Sequence, residues 1–153
     1  VPRRIIVSDA KWISAGNNYS FVGMTDGSLL GFGNGHDFRL GYSNGGIQRS
    51  PVVIFESGVK QAVGASSHSL FLMEDGSLWA AGKNSYGKVG AGDLGQNMKL
   101  TKIVNSGVAG MAAGTNHSIY WTDSGDCFLF GSNQHGQLGI GGAIKSAIPK
   151  LVK

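Results

Sequence analysis

Shifts of 49 residues bring three segments of this 153-residue chain into register without a gap, and no other feature restricts its fold so strongly. Asp26-Gly27 falls on Asp75-Gly76 and then on Ser124-Gly125. Gly33, Gly82 and Gly131 share a position, as do Gly41, Gly90 and Gly139. Ser20, Ser69 and Ser118 coincide, preceded by Tyr19, His68 and His117. Pro2, Pro51 and Pro149 are equivalent, with Leu100 between the last two. The repeat divides the chain into units 2–50, 51–99 and 100–148, with 149–153 beginning a fourth.

The repeat explains the composition. Glycine contributes 26 residues, far above its usual share, and most of them recur at the 49-residue period. They mark turns and close approaches of backbone rather than a flexible linker. Between them lie short apolar runs: Pro51–Phe55, Val59–Val63, His68–Met73 and Leu78–Ala81 in the second unit. Asp75-Gly76 between two such runs predicts a hairpin with a tight primed turn. Phe71-Leu72-Met73 and Tyr120-Trp121 do not alternate with polar residues, which predicts strands covered on both faces. About four short antiparallel strands per unit, each unit covered by its neighbours, describe blades of a β-propeller, an all-β fold in a single partial ring.

The motifs Gly114-Thr-Asn-His117-Ser118 and Phe130-Gly-Ser-Asn133-Gln-His-Gly136-Gln-Leu-Gly139-Ile-Gly141 resemble the regulator of chromosome condensation repeat. The second unit repeats them as His68-Ser-Leu-Phe-Leu, Asp75-Gly-Ser-Leu-Trp79, Gly82-Lys-Asn84 and Gly87-Lys-Val-Gly90-Ala-Gly92. The first unit departs from the pattern, with Tyr19 for the histidine and Gly35-His-Asp-Phe-Arg39 for the Asn-x-x-Gly-Gln loop. The resemblance implies a seven-bladed propeller, of which three units and a stub are present. The end blades of such an arc would expose apolar faces. Further blades of a longer chain, other copies of this chain, or a different protein would have to cover them.

His68 and His117 could be metal ligands or bases, but a residue recurring with the repeat belongs to the scaffold, and His68, Ser69 and Asp75 fail as a triad for the same reason. No zinc spacing is present. Gly76 to Asn84 misses the phosphate-loop pattern by one residue and lacks its final Ser or Thr. No catalytic residue, metal or cofactor is therefore expected. The repeated Gly27, Gly33, Gly41, Asp75, Gly76, Gly82, Gly90, Gly125, Gly131 and Gly139 are scaffold positions alongside the two histidines.

In a repeat protein, specificity resides in the loops that differ between units. After Gly33/82/131 these carry His36, Asp37, Phe38 and Arg39 in the first unit, Tyr86 and Lys88 in the second, and Gln134 and His135 in the third. They are the expected partner-binding residues, with 43–50 and 93–99 next. Net charge is +4 and spread along the chain, which supports nucleic-acid binding only weakly. No apolar run is long enough to predict a membrane span. A single cysteine, Cys127, and an N-terminus without an apolar signal core favour an intracellular location over secretion. The expected function is a non-catalytic module that binds a protein partner through variable loops. The alternative, implied by the resemblance, is guanine-nucleotide exchange on a small Ran-like GTPase.

Overall fold

The computed structural model describes residues 1, 4–5, 8–42, 45–95 and 97–152. The first sheet contains β1 (Ala10–Gly16), β2 (Tyr19–Met24), β3 (Leu29–Asn34) and β4 (Ile47–Phe55). The second contains β5 (Val59–Gly64), β6 (His68–Met73), β7 (Leu78–Lys83) and β8 (Asn97–Val104). The third contains β9 (Val108–Ala113), β10 (His117–Thr122), β11 (Cys127–Ser132) and β12 (Lys145–Leu151). In each sheet, strand order follows chain order and neighbours are antiparallel, so the molecule is three propeller blades in a row. Among the described residues no helix is long and apolar enough to cross a membrane.

The blades are out of phase with the sequence units. Pro51, Leu100 and Pro149 open units in the sequence, yet they lie in β4, β8 and β12, the last strand of each sheet. Residues 149–151 therefore complete the third blade. Pro51 and Pro149 can sit there because a strand at the rim of its sheet has one side without a ladder to donate to. Pro2 and Lys153 lie outside the described residues.

The hairpin turns differ from the primed type the Asp-Gly pairs suggest. Gly27 N donates to Met24 O, and Met24 N donates to Ser28 O. Only Gly27, at φ +84°, is left-handed in that loop. This is a three-residue loop in which the glycine forms the bulge after a type I turn. Asp26 does not take a positive φ, and its side chain accepts from Ser28 N at 2.9 Å, which braces the turn. Asp75 does the same for Ser77 at 2.8 Å.

Packing between blades follows the repeat. Blade 1 turns Tyr19, Phe21 and Leu29 toward blade 2, which meets them with Val59, Ala62, Phe71 and Ala81. One period later Leu70, Leu72 and Leu78 of blade 2 meet Val108, Met111, Tyr120 and Phe130 of blade 3. Strand β6 therefore buries both faces, as its unbroken apolar run requires. Blade 3 carries the same outward positions as Ile119, Trp121 and Cys127, but no further described blade lies against them. Trp121 is 45% exposed there. This corrects the expectation from the Tyr120-Trp121 run: Tyr120 is buried against blade 2, whereas Trp121 faces the open end of the arc.

Volume is traded across strands at the two end blades. Trp12 of β1 lies over Gly23 of β2, and Trp121 of β10 lies over Gly110 of β9. A Cβ on either glycine would run into the indole. The middle blade has Gln61 opposite Leu72 at these positions and needs no such exchange.

Candidate functional site

One end of the arc gathers the loops β1–β2, β3–β4, β5–β6, β7–β8, β9–β10 and β11–β12, and all the variable residues lie there. The hairpins containing Asp26, Asp75 and Asp126 lie at the other end. The repeat's histidine position links blades at the loop end. His68 Nε2 lies 2.8 Å from Ser118 Oγ of blade 3, and Ser118 in turn donates to Lys88 O at 2.8 Å. Because Ser118 gives its proton to Lys88 O, the imidazole must be the donor to Ser118. Its Nδ1 is left as a buried lone pair without a partner. Burial, then the Lys88 charge, then His117 depress its pKa to about 3.

Tyr19 occupies the same position between blades 1 and 2. Its hydroxyl lies 2.7 Å from His68 O and 2.9 Å from Ser69 Oγ, and it accepts from Ala65 N at 2.9 Å. Ser69 donates to Arg39 O. Burial raises the Tyr19 pKa. These residues tie blade to blade, and Asp75 sits on the distant hairpin, so His68, Ser69 and Asp75 form no triad. Among the described residues, no three His, Cys, Asp or Glu side chains cluster as a metal site would require.

The variable loops divide into buried and exposed residues. His36–Phe38 and Ser85–Gly87 form 3-10 turns that pack against the outermost strand of the following blade. The residue after each turn points inward. Arg39 is buried, with Nε donating to His36 O at 2.8 Å, a second nitrogen reaching Ser66 O at 3.4 Å and a third pairing with Asp37 at 2.9 Å. Lys88 is 2% exposed, and its Nζ donates to Ser67 Oγ, Asn116 Oδ1 and Thr115 O. Arg39 and Lys88 are thus blade-to-blade ties, because the turn aims their side chains across the inter-blade seam. His36, Tyr86, Gln134 and His135 are exposed, whereas Asp37 and Phe38 are half-buried.

Asp37, Arg39, Tyr86 and Lys88 line one cleft of about 490 Å³. Ser66, Ser67, Lys83 and Asn116 share it too, a grouping that no sequence pattern signals, although Lys83 stands where the other units have Asn34 and Ser132. Gln134 and His135 are on the third blade's loop and are not among the residues lining that cleft. Of the linker candidates, Ser43, Asn44 and Gln96 lie outside the described residues. Asn97 reaches Asp37 at 2.8 Å.

The first loop is the most altered. Asn84 and Asn133 brace their loops by bonding Asp93 O and Gly141 O, and by accepting from Val89 N and Leu138 N. Gly35 stands at this position in the first unit and supplies no such brace. Three positions later in the repeat, Gly87 and Gly136 have φ of +78° and +75°. Phe38 takes their place and keeps φ +62°, next to Asp37 at φ +61°. A bulky residue in this region is strained, by about 1–3 kcal/mol.

Comparison with known proteins supports the same architecture. Two family models described as the regulator of chromosome condensation (RCC1) repeat match residues 62–88 and 124–153. No curated protein matches the sequence. Yeast RCC1 (Prp20), solved bound to Kap60, is similar with a TM-score of 0.81 at 22% identity over 95% of this chain and 37% of its own. Saccharomyces cerevisiae Prp20p, solved in a study of its binding to Gsp1p and histones, gives the same score and identity over 95% of this chain and 38% of its own. Human WBSCR16 has a TM-score of 0.85 at 22% identity over the whole of this chain and 43% of its own. The chain spans about two-fifths of these solved proteins. Two stretches of the chain thus match the regulator of chromosome condensation repeat, and its three blades share the fold of these RCC1-like propellers.

Proposed function

We propose that this chain is a non-catalytic part of a β-propeller that docks a protein partner through its loop face, with Phe38 as the principal contact. The observation carrying this reading is the left-handed backbone kept at Phe38, where the other two units use glycine. A strained large side chain at a loop tip costs fold stability, and aromatic residues dominate binding energy at protein interfaces. Phe38→Gly tests it. Loss of the aromatic ring should lower protein capture by about tenfold, since such anchors contribute roughly 1–2 kcal/mol or more. Relief of strain offsets the lost packing, so the unfolding free energy should change by less than about 1 kcal/mol. Capture unchanged by the substitution would remove Phe38 from the interface.

The fold likeness to Prp20p, studied for its binding to Gsp1p, supports a second reading, nucleotide exchange on a small GTPase. Faster release of labelled nucleotide from such a GTPase on adding the chain would establish it, and an unchanged rate would exclude it.

The end faces of the arc are taken to be covered by further blades. His117 stands where His68 and Tyr19 reach the next blade's serine, and Ser20 stands ready to receive such a group at the other end. Beside Ser20, a groove of about 390 Å³ is lined by Ile5, Ala10, Ile13, Val22 and Phe32. The chain alone, in dilute buffer, should therefore associate. Light scattering is expected to give a mass well above 15.9 kDa, and a monodisperse monomer of that mass would contradict the reading.

A further inference from the structure

We propose that the loop-face cleft binds a carboxylate of an acidic polypeptide segment, which accepts from Lys83 at the rim and Ser67 in the floor, with the buried charge of Lys88 behind Ser67. The proposal rests on the loop-face docking reading and names the chemistry of the partner.

Lys88 is the unusual group. A buried ammonium normally sits beside a carboxylate, because desolvation of an unpaired charge is costly. Here all three acceptors of Nζ are neutral: Ser67 Oγ at 2.9 Å, Asn116 Oδ1 at 3.0 Å and Thr115 O at 3.3 Å. The fold does not demand a cation at this repeat position. The third unit has Gln137, which folds back to accept from His135 N at 2.9 Å. The charges of Arg39 and Lys88 are therefore additions to a scaffold that accepts a neutral amide.

The cleft also supplies donors. Ser67 accepts from Lys88, which polarises its hydroxyl and leaves its own proton to give outward. Ser85 and the exposed Lys83 line the same cleft. Its one carboxylate, Asp37, is bonded to Arg39 at 2.9 Å and Asn97 at 2.8 Å and makes no direct ion pair with either lysine. Arg39 is buried, with three of its five N–H donors on His36 O, Ser66 O and Asp37, so it does not present into the cleft the free planar fork that favours phosphate. A nucleic-acid backbone would need a basic stripe beyond one cleft.

The titration of Lys88 adds a signature. Burial, then Lys83 and Arg39, lower its pKa to about 8, with Asp37 acting in the opposite sense. The charged and titratable groups facing it are Lys83, Arg39, Asp37, Tyr86 and His68. Below pH 8 the site is charged and affinity should be flat. Above pH 8 the free site loses its proton and affinity should fall.

The test uses the full chain and a labelled ten-residue peptide with four consecutive glutamates, read by fluorescence anisotropy at pH 7 to 9. The all-glutamine peptide should bind about tenfold more weakly. Lys83→Gln, at an exposed position, should weaken the glutamate peptide about fivefold. Lys88→Met should weaken it further and flatten the fall above pH 8. Should Lys88→Met fail to fold, the pH profile of the unaltered chain carries the test. No binding of the glutamate peptide, binding indifferent to Lys83→Gln, or a phosphoserine peptide binding tenfold tighter would each overturn the carboxylate assignment. Protein capture lost in Phe38→Gly but intact in Lys83→Gln would overturn it while leaving the docking face standing.

Discussion

Gly82→Ala is expected to destabilise the chain by about 4 kcal/mol, combining backbone strain with a steric clash. Gly82 has φ +120°, outside the region an L-residue adopts. A Cβ there would also lie 2.5 Å from His68 Cα and Ser67 O, the backbone of the neighbouring strand, which cannot swing away as a flexible side chain would. The same demand recurs at Gly33 and Gly131, where the Cβ would meet Asn18 O and Asn116 O. Gly125→Ala is the control. It shares a positive φ, +88°, but its Cβ would meet nothing within 4 Å. It should cost only about 1 kcal/mol. Urea unfolding of the two variants measures the difference, and equal losses would show that conformation alone, without close approach, accounts for this glycine.

Acidification should unfold the molecule well before its carboxylates are fully protonated, with His68 as the cause. Its pKa is held to about 3 in the folded chain, against an ordinary value of 6.5. The unfolded chain therefore takes up the proton first as pH falls below 6.5. Stability present above that pH is lost down to about pH 3, at about 1.4 kcal/mol per pH unit once well inside the window. By pH 4.5 the loss should be about 2–3 kcal/mol, on the same basis. The repeat offers the replacement that tests this, since Tyr19 does the same tying without titrating near neutrality. Its ring lies over Gly16, whereas the second unit has Ala65 at that position, so the variant needs both His68→Tyr and Ala65→Gly. That pair should stay folded at neutral pH and show a flat profile from pH 6.5 to 4.5. A profile unchanged from the parent would assign the acid sensitivity elsewhere.

The strands were legible because their apolar runs and glycine punctuation recur, and Val59, His68 and Leu78 begin strands where the runs begin. The docking candidates were legible only in part. Composition marks Arg39 and Lys88 as loop residues. Only the 3-10 turns before them, which aim their side chains across the seam between blades, make them buried ties. The cleft was not legible at all, since its residues come from loops up to about a hundred positions apart, Asn17 to Asn116. Trp121 shows the same limit. An apolar residue in a strand says that a face wants covering, and whether a neighbour covers it is a tertiary fact.

The sequence by itself determined the 49-residue unit, its strands and the positions that only glycine fills, because local backbone geometry and the apolar pattern are properties of each unit alone. Where a blade starts was decided by the tertiary structure. A periodic sequence has no origin, and hydrogen bonding joins the run around Pro51 to the strand before it, not to the one after. The same closure places Pro149 in the third blade and leaves Trp121 and Ile13 facing outward at the two ends.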